Sequence, residues 1–498
     1  MQSDLLMSIL IIVNDPKDWP LRIEGAEIVA AKTYLTDSSY SNMRGAKIFN
    51  LCRSYKYQSI GYYVSLLAEA RHHKPVPTIT TMQDLKSQSI VKVYTDELDE
   101  LIQKSLASLQ SREFVLSIYF GRNLARKYDS LSRHLFRLFP APFLRALFGY
   151  NEKTCKWHLK NIGPVETNDI PSEHRQFVVG AAQEFIGRRR SIRRRVSMRY
   201  DLAILHNPEE KEPPSNPKAL QRFVKAAESL GLAAEMIVKE DYGRIGEFDA
   251  LFIRETTSVI HHTYRLARKA AAEGLVVVDD PESILKCTNK VFLAELLEKH
   301  KVPIPKTVIV HRDNAKLISR MLGLPCILKK PDSSFSQGVV KAETEEELAS
   351  YVENMLEKSE LLIAQEFMPT IYDWRVGIFD RQPLYVCKYY MADDHWQIIK
   401  RDKSGATTQV GMTESLPVEH APAGVVRIAI RAANLIGDGL YGVDIKQSGK
   451  SFFVMEVNDN PNIDAGNEDT VLKDELYERI MKVILRRIEQ HKEKGYQV

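Results

Sequence analysis

The chain has 498 residues, of which 44% are hydrophobic and 27% are charged, which is typical of a soluble globular protein with roughly two to four folding units. It contains no internal repeat and no low-complexity tract. The net charge of +4 is small for this length, so charge alone argues neither for nor against a nucleic-acid partner.

The cysteines and the chain start indicate a cellular compartment. The five cysteines are widely spaced and form no CxxC pair, which argues against a disulfide framework or a zinc site and favours a reducing cytoplasm. The first residues lack the basic start and the cleavage site of a signal peptide. No segment approaches the ~20 apolar residues of a membrane span, so we expect a cytoplasmic protein without a membrane partner.

Residues 1–186 alternate strand and helix patterns, which predicts an α/β domain with a parallel sheet. The predicted strands are Ser8–Val13, Glu27–Tyr34, Ala46–Asn50 and Glu113–Phe120. Helical spacing covers Tyr62–His72, and a second helix from Leu131 to Leu147 is expected to break at Pro140 and Pro142.

Residues 187–199 contain two runs of three arginines, Arg188–Arg190 and Arg193–Arg195. Such a stretch could bind RNA or an acidic protein tail. No aromatic residues interleave with the arginines, as stacking on bases would need. A basic interdomain linker is therefore the favoured interpretation, and we expect no nucleic-acid partner.

Residues 200–284 predict a second, smaller α/β domain. Its strands are Tyr200–Leu205, Ala250–Arg254 and Leu275–Val278. Arg254 ends a strand where this domain meets the next one, so it is a candidate for substrate contact. His261 and His262 could suggest a metal, but adjacent residues of a helix or strand face apart, and we predict no metal site there.

Residues 285–491 contain a candidate magnesium site. Ser451–Asn458 predicts a strand on which Glu456 and Asn458 share one face, because side chains alternate along a strand. Asp444 lies on the preceding predicted strand, and hairpin pairing would place it beside Glu456. Hard oxygen donors on one face suit magnesium. Three solvent-facing polar residues are the alternative.

Lysines and a small-residue loop in the same region suit phosphate groups. A predicted buried strand, Pro325–Lys330, carries Lys329 toward a loop with Ser334, Ser336 and Gly338, whose backbone N–H groups could close over phosphate oxygens. Lys290 precedes a predicted helix and could be a second phosphate ligand. A solvated lysine is the alternative.

Two further segments complete the pattern. Leu361–Met368 predicts a strand running into a linker that could present backbone groups to an adenine edge, with Glu366 near the purine, although an ordinary strand end is the alternative. Arg375 lies on the next predicted strand and offers a bidentate fork for a carboxylate or phosphate. A surface ion pair is the alternative for this arginine.

These motifs, in this order and spacing, resemble the ATP-grasp superfamily over about Tyr200–Glu489, and RimK-type ligases most closely. The resemblance implies an α/β fold (α+β grasp) in which a pre-ATP-grasp domain, residues 200–284, precedes an ATP-grasp fold of two lobes, residues 285–491. Residues 1–186 resemble the RimK-like ATP-grasp N-terminal domain. That domain could recognise substrate, act as a second enzyme or support a homo-oligomer, and we favour substrate recognition.

The resemblance also implies cofactors and residue roles. ATP would be bound by Lys290, Lys329, Ser334, Ser336, Gly338, Gln365, Glu366, Phe367 and Met368. Two ions of Mg²⁺, or of Mn²⁺, would be held by Asp444, Glu456 and Asn458.

Arg375 and Lys388 would then be catalytic. Lys388 stands where RimK-type enzymes have a paired arginine, so one cation is kept and the other is lost. Lys400 and Arg401 could hold a substrate carboxylate or could be part of a solvated turn.

The implied reaction is amide formation through an acyl phosphate. The expected substrate is an amino acid or a small peptide. The alternative is a protein-modifying ligase that adds glutamate or a similar residue to an acidic protein tail.

Overall fold

The computed structural model describes residues 9–19, 23, 25–41, 43, 45–71, 73–88, 90–92, 98–192, 198–332, 338–393, 395–401 and 407–494. The chain forms two compact units. One comprises Met1–Met198 with Glu240–Glu247, and the other comprises Arg199–Lys239 with Phe248–Val498. Both units are mixed α/β structures, as the sequence predicts.

The first unit contains the predicted parallel sheet. Its four strands are β1 (Ile9–Val13), β2 (Glu27–Ala30), β3 (Lys47–Asn50) and β4 (Lys74–Val76), in the order β2-β1-β3-β4. The associated helices are Ala31–Thr36, Ser38–Ser41, Ile60–Ala70 and Ile79–Asp84. The predicted strand Glu27–Tyr34 was therefore too long, because a helix begins at Ala31.

A separate antiparallel sheet completes this unit. Its strands are β5 (Glu113–Tyr119), β6 (Phe143–Asn151) and β7 (Lys156–Pro164), in that order. The helices are Asp99–Leu106, Asp129–Leu138 and Arg175–Ile192. The prediction of helix up to Leu147 was wrong beyond the prolines, where β6 begins at Phe143. The predicted linker begins too early, because the last helix continues to Ile192, and Arg193–Arg195 lie outside the described residues.

The second unit begins with a parallel sheet. Its strands are β8 (Tyr200–Leu205), β9 (Leu232–Ile237), β10 (Ala250–Ile253) and β11 (Val276–Val278), in the order β11-β10-β8-β9. The helices are Pro217–Ser229, His262–Ala272 and Pro281–Thr288.

Two antiparallel sheets follow, one for each of the expected lobes. The smaller has the order β12-β15-β13-β14, with strands β12 (Thr307–Val310), β13 (Cys326–Lys329), β14 (Val339–Ala342) and β15 (Leu362–Glu366). The helices Ile318–Leu322 and Glu345–Leu356 belong to this lobe. The preceding helix, Lys290–Lys299, contributes Leu293 and Leu297 to the core of the larger sheet.

The larger sheet has the order β20-β17-β16-β21-β22. Its strands are β16 (Tyr372–Phe379), β17 (Gln382–Tyr390), β20 (Thr413–Leu416), β21 (Leu440–Ser448) and β22 (Ser451–Asp459). A separate pair consists of β18 (Ile399–Arg401) and β19 (Thr407–Val410), and the helices are Ala423–Ile436 and Asp474–Lys494.

The larger sheet has one apolar and one charged face around its centre. The helix Ala423–Ile436 packs on the apolar face, where Val376, Val443 and Val457 belong to one buried core. Side chains alternate along each strand. The residues directly before and after each of these valines therefore project to the opposite face. That opposite face carries the charged residues of the candidate site.

Candidate active site

Lys290 is brought to the larger sheet by the start of a helix. It is the first residue of Lys290–Lys299, and the Asn289 side chain caps this helix by accepting hydrogen bonds from Val291 N and Phe292 N, as asparagine commonly does. The Lys290 backbone N–H donates to the carbonyl of Pro331. Its Nζ atom lies 2.7 Å from Glu456 Oε1, so the lysine reaches β22 from a fixed helix end.

Lys329 and Gln365 project from the same face of the smaller sheet. They lie on the paired strands β13 and β15, and Lys329 Nζ donates to Gln365 Oε1 at 2.8 Å. Burial lowers the pKa of Lys329 from 10.5 to about 8; the carboxylate of Glu456 opposes this shift, and the cation of Lys290 adds to it. Lys329 is therefore an ammonium group that would gain from an added anion.

Strands β16, β21 and β22 align Arg375, Asp444 and Glu456 side by side. Arg375 pairs with Asp444, and Asp444 pairs with Glu456, which confirms the predicted hairpin pairing. Asn458 is opposite Gly442, two residues from Asp444, and so shares this face. The structure thus brings the three predicted metal residues and Arg375 together on one surface.

Hydrogen bonds connect these side chains. Arg375 donates from Nε and Nη2 to the two carboxylate oxygens of Asp444, at 2.5 and 2.6 Å. Asn458 Nδ2 donates to Asp444 Oδ2 at 3.1 Å. Because its amide nitrogen is used in this way, the Asn458 oxygen is the atom left for a cation.

The protonation of the carboxylates follows from burial and from neighbouring cations. Burial raises the pKa of Asp444, and Arg375 only partly offsets that rise. Burial would raise the pKa of Glu456 as well, but Lys290 and Lys329 together hold it below its ordinary value. Glu456 is therefore ionised at neutral pH and is a competent oxygen ligand for a hard cation.

Two residues of this face were not among the predicted site residues. Lys446 Nζ lies 2.7 Å from Asp373 Oδ1 and 2.6 Å from Thr370 Oγ1. Asp373 is two residues before Arg375, and Lys446 is two residues after Asp444, so strand alternation could have identified both. With them the surface holds four cations, Lys290, Lys329, Arg375 and Lys446, against three carboxylates, Asp373, Asp444 and Glu456.

Lys388 lies on the other face of the sheet. It pairs with Trp374, which is in the apolar core below the helix Ala423–Ile436. Its Nζ atom lies 5.6 Å from the centroid of the Trp374 ring and 3.2 Å from Glu414 Oε2. The predicted catalytic role is therefore corrected, because the side chain points away from Arg375. Tyr389 is on the Arg375 face, with the guanidinium 5.0 Å from its ring centroid.

Arg254 is buried, with only 1% of its surface exposed. Its guanidinium donates to Asn460 Oδ1 at 2.6 Å, to the Pro461 carbonyl at 2.8 Å and to Ser215 Oγ. The predicted substrate contact is corrected, because the guanidinium binds protein atoms and joins the end of β10 to the end of β22.

The remaining predicted ATP residues lie at the end of β15 and just before β14. Glu366 Oε1 accepts from the Lys306 N–H at 2.7 Å, and Lys341 Nζ lies 5.1 Å from the Phe367 ring centroid. Met368 is half-buried in the same segment. Gly338 has φ +72°, and its carbonyl accepts from Lys330 N. The predicted loop residues Ser334 and Ser336 lie outside the described residues.

Lys400 and Arg401 contact protein atoms. Lys400 Nζ donates to the Asp393 carbonyl at 3.3 Å. Arg401 Nη2 lies 2.8 Å from Glu212 Oε2. The turn that follows them, residues 402–406, is outside the described residues.

None of the helices among the described residues has the length and apolar character of a membrane span.

Comparison with known protein families identifies two segments. Residues 31–181 match the RimK-like ATPgrasp N-terminal domain, and residues 287–382 match the RimK-like ATP-grasp domain. The second segment includes Lys290, Lys329 and Arg375 and ends before β21.

Curated relatives and a solved structure have names that agree with these two matches. A probable alpha-L-glutamate ligase of Syntrophotalea carbinolica is 28% identical over 50% of this chain and 78% of its own length. An alpha-aminoadipate–LysW ligase, LysX, of Saccharolobus solfataricus is 27% identical over 48% of this chain and 88% of its own length. A RimK domain ATP-grasp protein of Sphaerobacter thermophilus aligns with a TM-score of 0.44 and 16% identity, over 57% of this chain and 99% of that one. The chain thus combines a RimK-like ATP-grasp N-terminal domain with a RimK-like ATP-grasp domain, and it is an ATP-grasp ligase.

Proposed function

We propose that this ligase uses ATP and magnesium to join a substrate carboxylate to the amine of an amino acid or a short peptide, through an acyl phosphate. The observation that carries the proposal is the charged face of β16, β21 and β22, where Arg375, Asp444 and Glu456 lie side by side with Lys290 against Glu456. The names of the relatives, a glutamate ligase and an aminoadipate ligase, support an amino acid as substrate.

The lysines of this face are suited to a triphosphate. Lys290 and Lys329 come from two separate elements and influence each other electrostatically. A phosphate oxygen between them would relieve their repulsion and return the pKa of Lys329 toward its ordinary value. Lys446 extends the same surface, and Ser334, Ser336 and Gly338 remain predicted ligands. Gln365, Glu366, Phe367 and Met368 would hold the adenine end.

Glu456 and Asn458 fit a hard cation. One oxygen of Glu456 contacts Lys290 and the other is left for a metal, as is the oxygen of Asn458. Both oxygens of Asp444 accept from Arg375, so Asp444 would become a metal ligand only with the Arg375 guanidinium turned away from it, toward a substrate. Two Mg²⁺ or Mn²⁺ ions, when bound, would neutralise phosphate charge and orient the γ-phosphoryl group.

The proposed chemistry needs no nucleophile from the protein. A carboxylate oxygen of the substrate attacks the γ-phosphorus, and the bond to ADP breaks. The amine then attacks the carbonyl carbon, loses a proton, and expels phosphate that carries one former carboxylate oxygen. Arg375 would hold the negative oxygens, and the lysines would hold the transferred phosphoryl group. Positioning and electrostatic stabilisation supply most of the rate in such a site.

The test is magnesium-dependent ADP release, with mass-spectrometric detection of the amide product, against a panel of amino acids and dipeptides. Glu456→Gln should lower turnover by at least about 100-fold, the size expected when a charge-stabilising group is lost. Glu414→Gln is the matched control, because that glutamate pairs with Lys388 on the same sheet, away from the charged face. Full activity of Glu456→Gln, or equal losses in both variants, would contradict the assigned site.

A protein-modifying ligase is the second candidate. The observation in its favour is the separate N-terminal domain, residues 31–181, which lies outside the catalytic region. The same assay with a protein that ends in an acidic tail distinguishes the two candidates. Turnover of free amino acids or dipeptides without turnover of the tail supports the first, and the reverse supports the second.

A further inference from the structure

A cluster of metal-ligating side chains lies apart from the charged face, at the C-terminal edge of the β8–β11 sheet. Glu255 follows β10 by two residues, and His261 and His262 begin the next helix. One ligand atom from each of the three lies within 4.8 Å of the others. The three side chains therefore converge on one point, at the edge of a parallel sheet where ligands commonly bind.

The two adjacent histidines converge because the backbone changes conformation between them. His261 is the N-cap, with extended φ −94° and ψ 162°, and the helix starts at His262. Their ring centroids are 3.9 Å apart, at an interplanar angle of 48°. The prediction that the pair faces apart was wrong, because it assumed one regular element across both residues.

The carboxylate of this cluster is buried and lacks well-placed hydrogen-bond donors among the described residues. Glu255 is only 2% exposed, and neither of its carboxylate oxygens has a hydrogen bond of acceptable geometry among the described residues. His262 Nε2 lies 2.8 Å from Glu255 Oε1 and likewise lacks such a bond within that part of the chain. Burying a carboxylate is unfavourable unless a cation or hydrogen bonds compensate it.

We propose that Glu255, His261 and His262 bind a borderline divalent transition-metal ion, for which Zn²⁺ is the best match. Two imidazole nitrogens and one carboxylate oxygen are a donor set that zinc takes with a fourth position open to water or substrate. Magnesium prefers an all-oxygen set. The ion would supply the positive charge that the Glu255 carboxylate needs.

The cluster is connected to the strand that carries the proposed magnesium ligands. Asn460 Nδ2 donates to the Glu255 carbonyl at 2.6 Å, and Asn460 directly follows β22, which carries Glu456 and Asn458. Occupancy of the cluster would therefore fix the backbone at the end of that strand.

The experiment is zinc titration of the full-length, chelator-treated protein by isothermal calorimetry in saturating Mg²⁺. A Cys155→Ser background removes the exposed thiol. We expect one Zn²⁺ per chain that Mg²⁺ does not displace, and Co²⁺ should give the visible spectrum of a four-coordinate site. His261→Ala and His262→Ala should each weaken binding by at least about tenfold.

His420→Ala is the matched control, since that histidine is exposed and outside the cluster. Both cluster histidines are half-buried, so their removal leaves the apolar core intact, and circular dichroism checks folding. Absence of stoichiometric zinc binding, or binding by the His261 and His262 variants equal to that of the parent, would overturn the proposal. The readout is metal binding, so it is independent of ligase activity.

Discussion

The lowered pKa of Lys329 predicts that ATP binding weakens as the pH rises. Burial lowers that pKa from 10.5 to about 8. A triphosphate beside the ammonium group favours its charged form, so binding raises the pKa again. Wherever Lys329 is neutral in the free protein, ATP binding must be accompanied by proton uptake.

The size of the effect follows from the pKa. One pKa unit corresponds to about 1.4 kcal/mol. At about pH 9, one unit above the value for Lys329, protonation costs about 1.4 kcal/mol, and affinity falls about tenfold. At about pH 7 the lysine is mostly charged and the cost is negligible. We therefore expect the Kd for ATP to rise about tenfold across this interval.

The assay is calorimetric titration of a non-hydrolysable ATP analogue in saturating Mg²⁺. Buffers with different ionisation enthalpies report the protons taken up, which should be roughly half a proton per ATP at about pH 8. Lys329→Arg is the matched variant, because the guanidinium stays charged throughout this range, so its Kd should not rise. A Kd for the parent protein that is constant from about pH 7 to 9, or the same rise in Lys329→Arg, would refute the reasoning.

Three further predictions concern single side chains. Arg375→Met should lower kcat/KM by at least about 100-fold, whereas Lys388→Met, on the other face of the same sheet, should stay within about threefold of the parent in the ADP-release assay. Because the folded-state pKa of Lys329 lies below 10.5, its charged form destabilises the fold below about pH 8. Lys329→Met should therefore raise the free energy of unfolding at neutral pH by about 1–3 kcal/mol, measured by urea denaturation, while abolishing ATP turnover. Arg254→Leu should lower the free energy of unfolding, measured by urea denaturation, by more than about 3 kcal/mol, because several buried acceptors lose their donor. A change below about 1 kcal/mol would contradict the structural role of Arg254.

Strand alternation explains why the charged face could be predicted. Glu456 and Asn458 share a face wherever their strand lies, because the two-residue period depends on the backbone alone. The pairing of Glu456 with Asp444 depends in addition on a register shift between Asp444 and Ile445. Without that bulge, counting from the Ser448–Ser451 turn would place Met455 opposite Asp444.

The catalytic role of Lys388 was predicted from the resemblance to RimK-type enzymes, and a bulge explains why the side chain lies on the other face. The turn between β16 and β17 pairs Phe379 with Gln382, and the register then shifts at Gly377 and Ile378. Regular pairing would have placed Lys388 opposite Asp373 and thus on the Arg375 face. One extra residue moves every later side chain to the other face. In the sequence this position is marked only by Gly377 and Pro383, residue types that are common at bulges.

The role of Arg254 could not be predicted from the sequence for a different reason. Its acceptors include Ser215, Asn460 and Pro461, of which the last two are more than two hundred residues away in sequence. Only the tertiary packing of β10 against the end of β22 brings them together. A strand-end arginine looks the same in sequence whether it faces a ligand or is buried in the protein.

In the proposed mechanism this charged face activates a carboxylate as an acyl phosphate. The most direct measurement is oxygen transfer from the acid substrate that the panel assay identifies, labelled with ¹⁸O in the carboxylate that forms the amide, with the released phosphate analysed by mass spectrometry. The proposed chemistry predicts one ¹⁸O atom in each phosphate released with amide formation. Amide formation with unlabelled phosphate would contradict it.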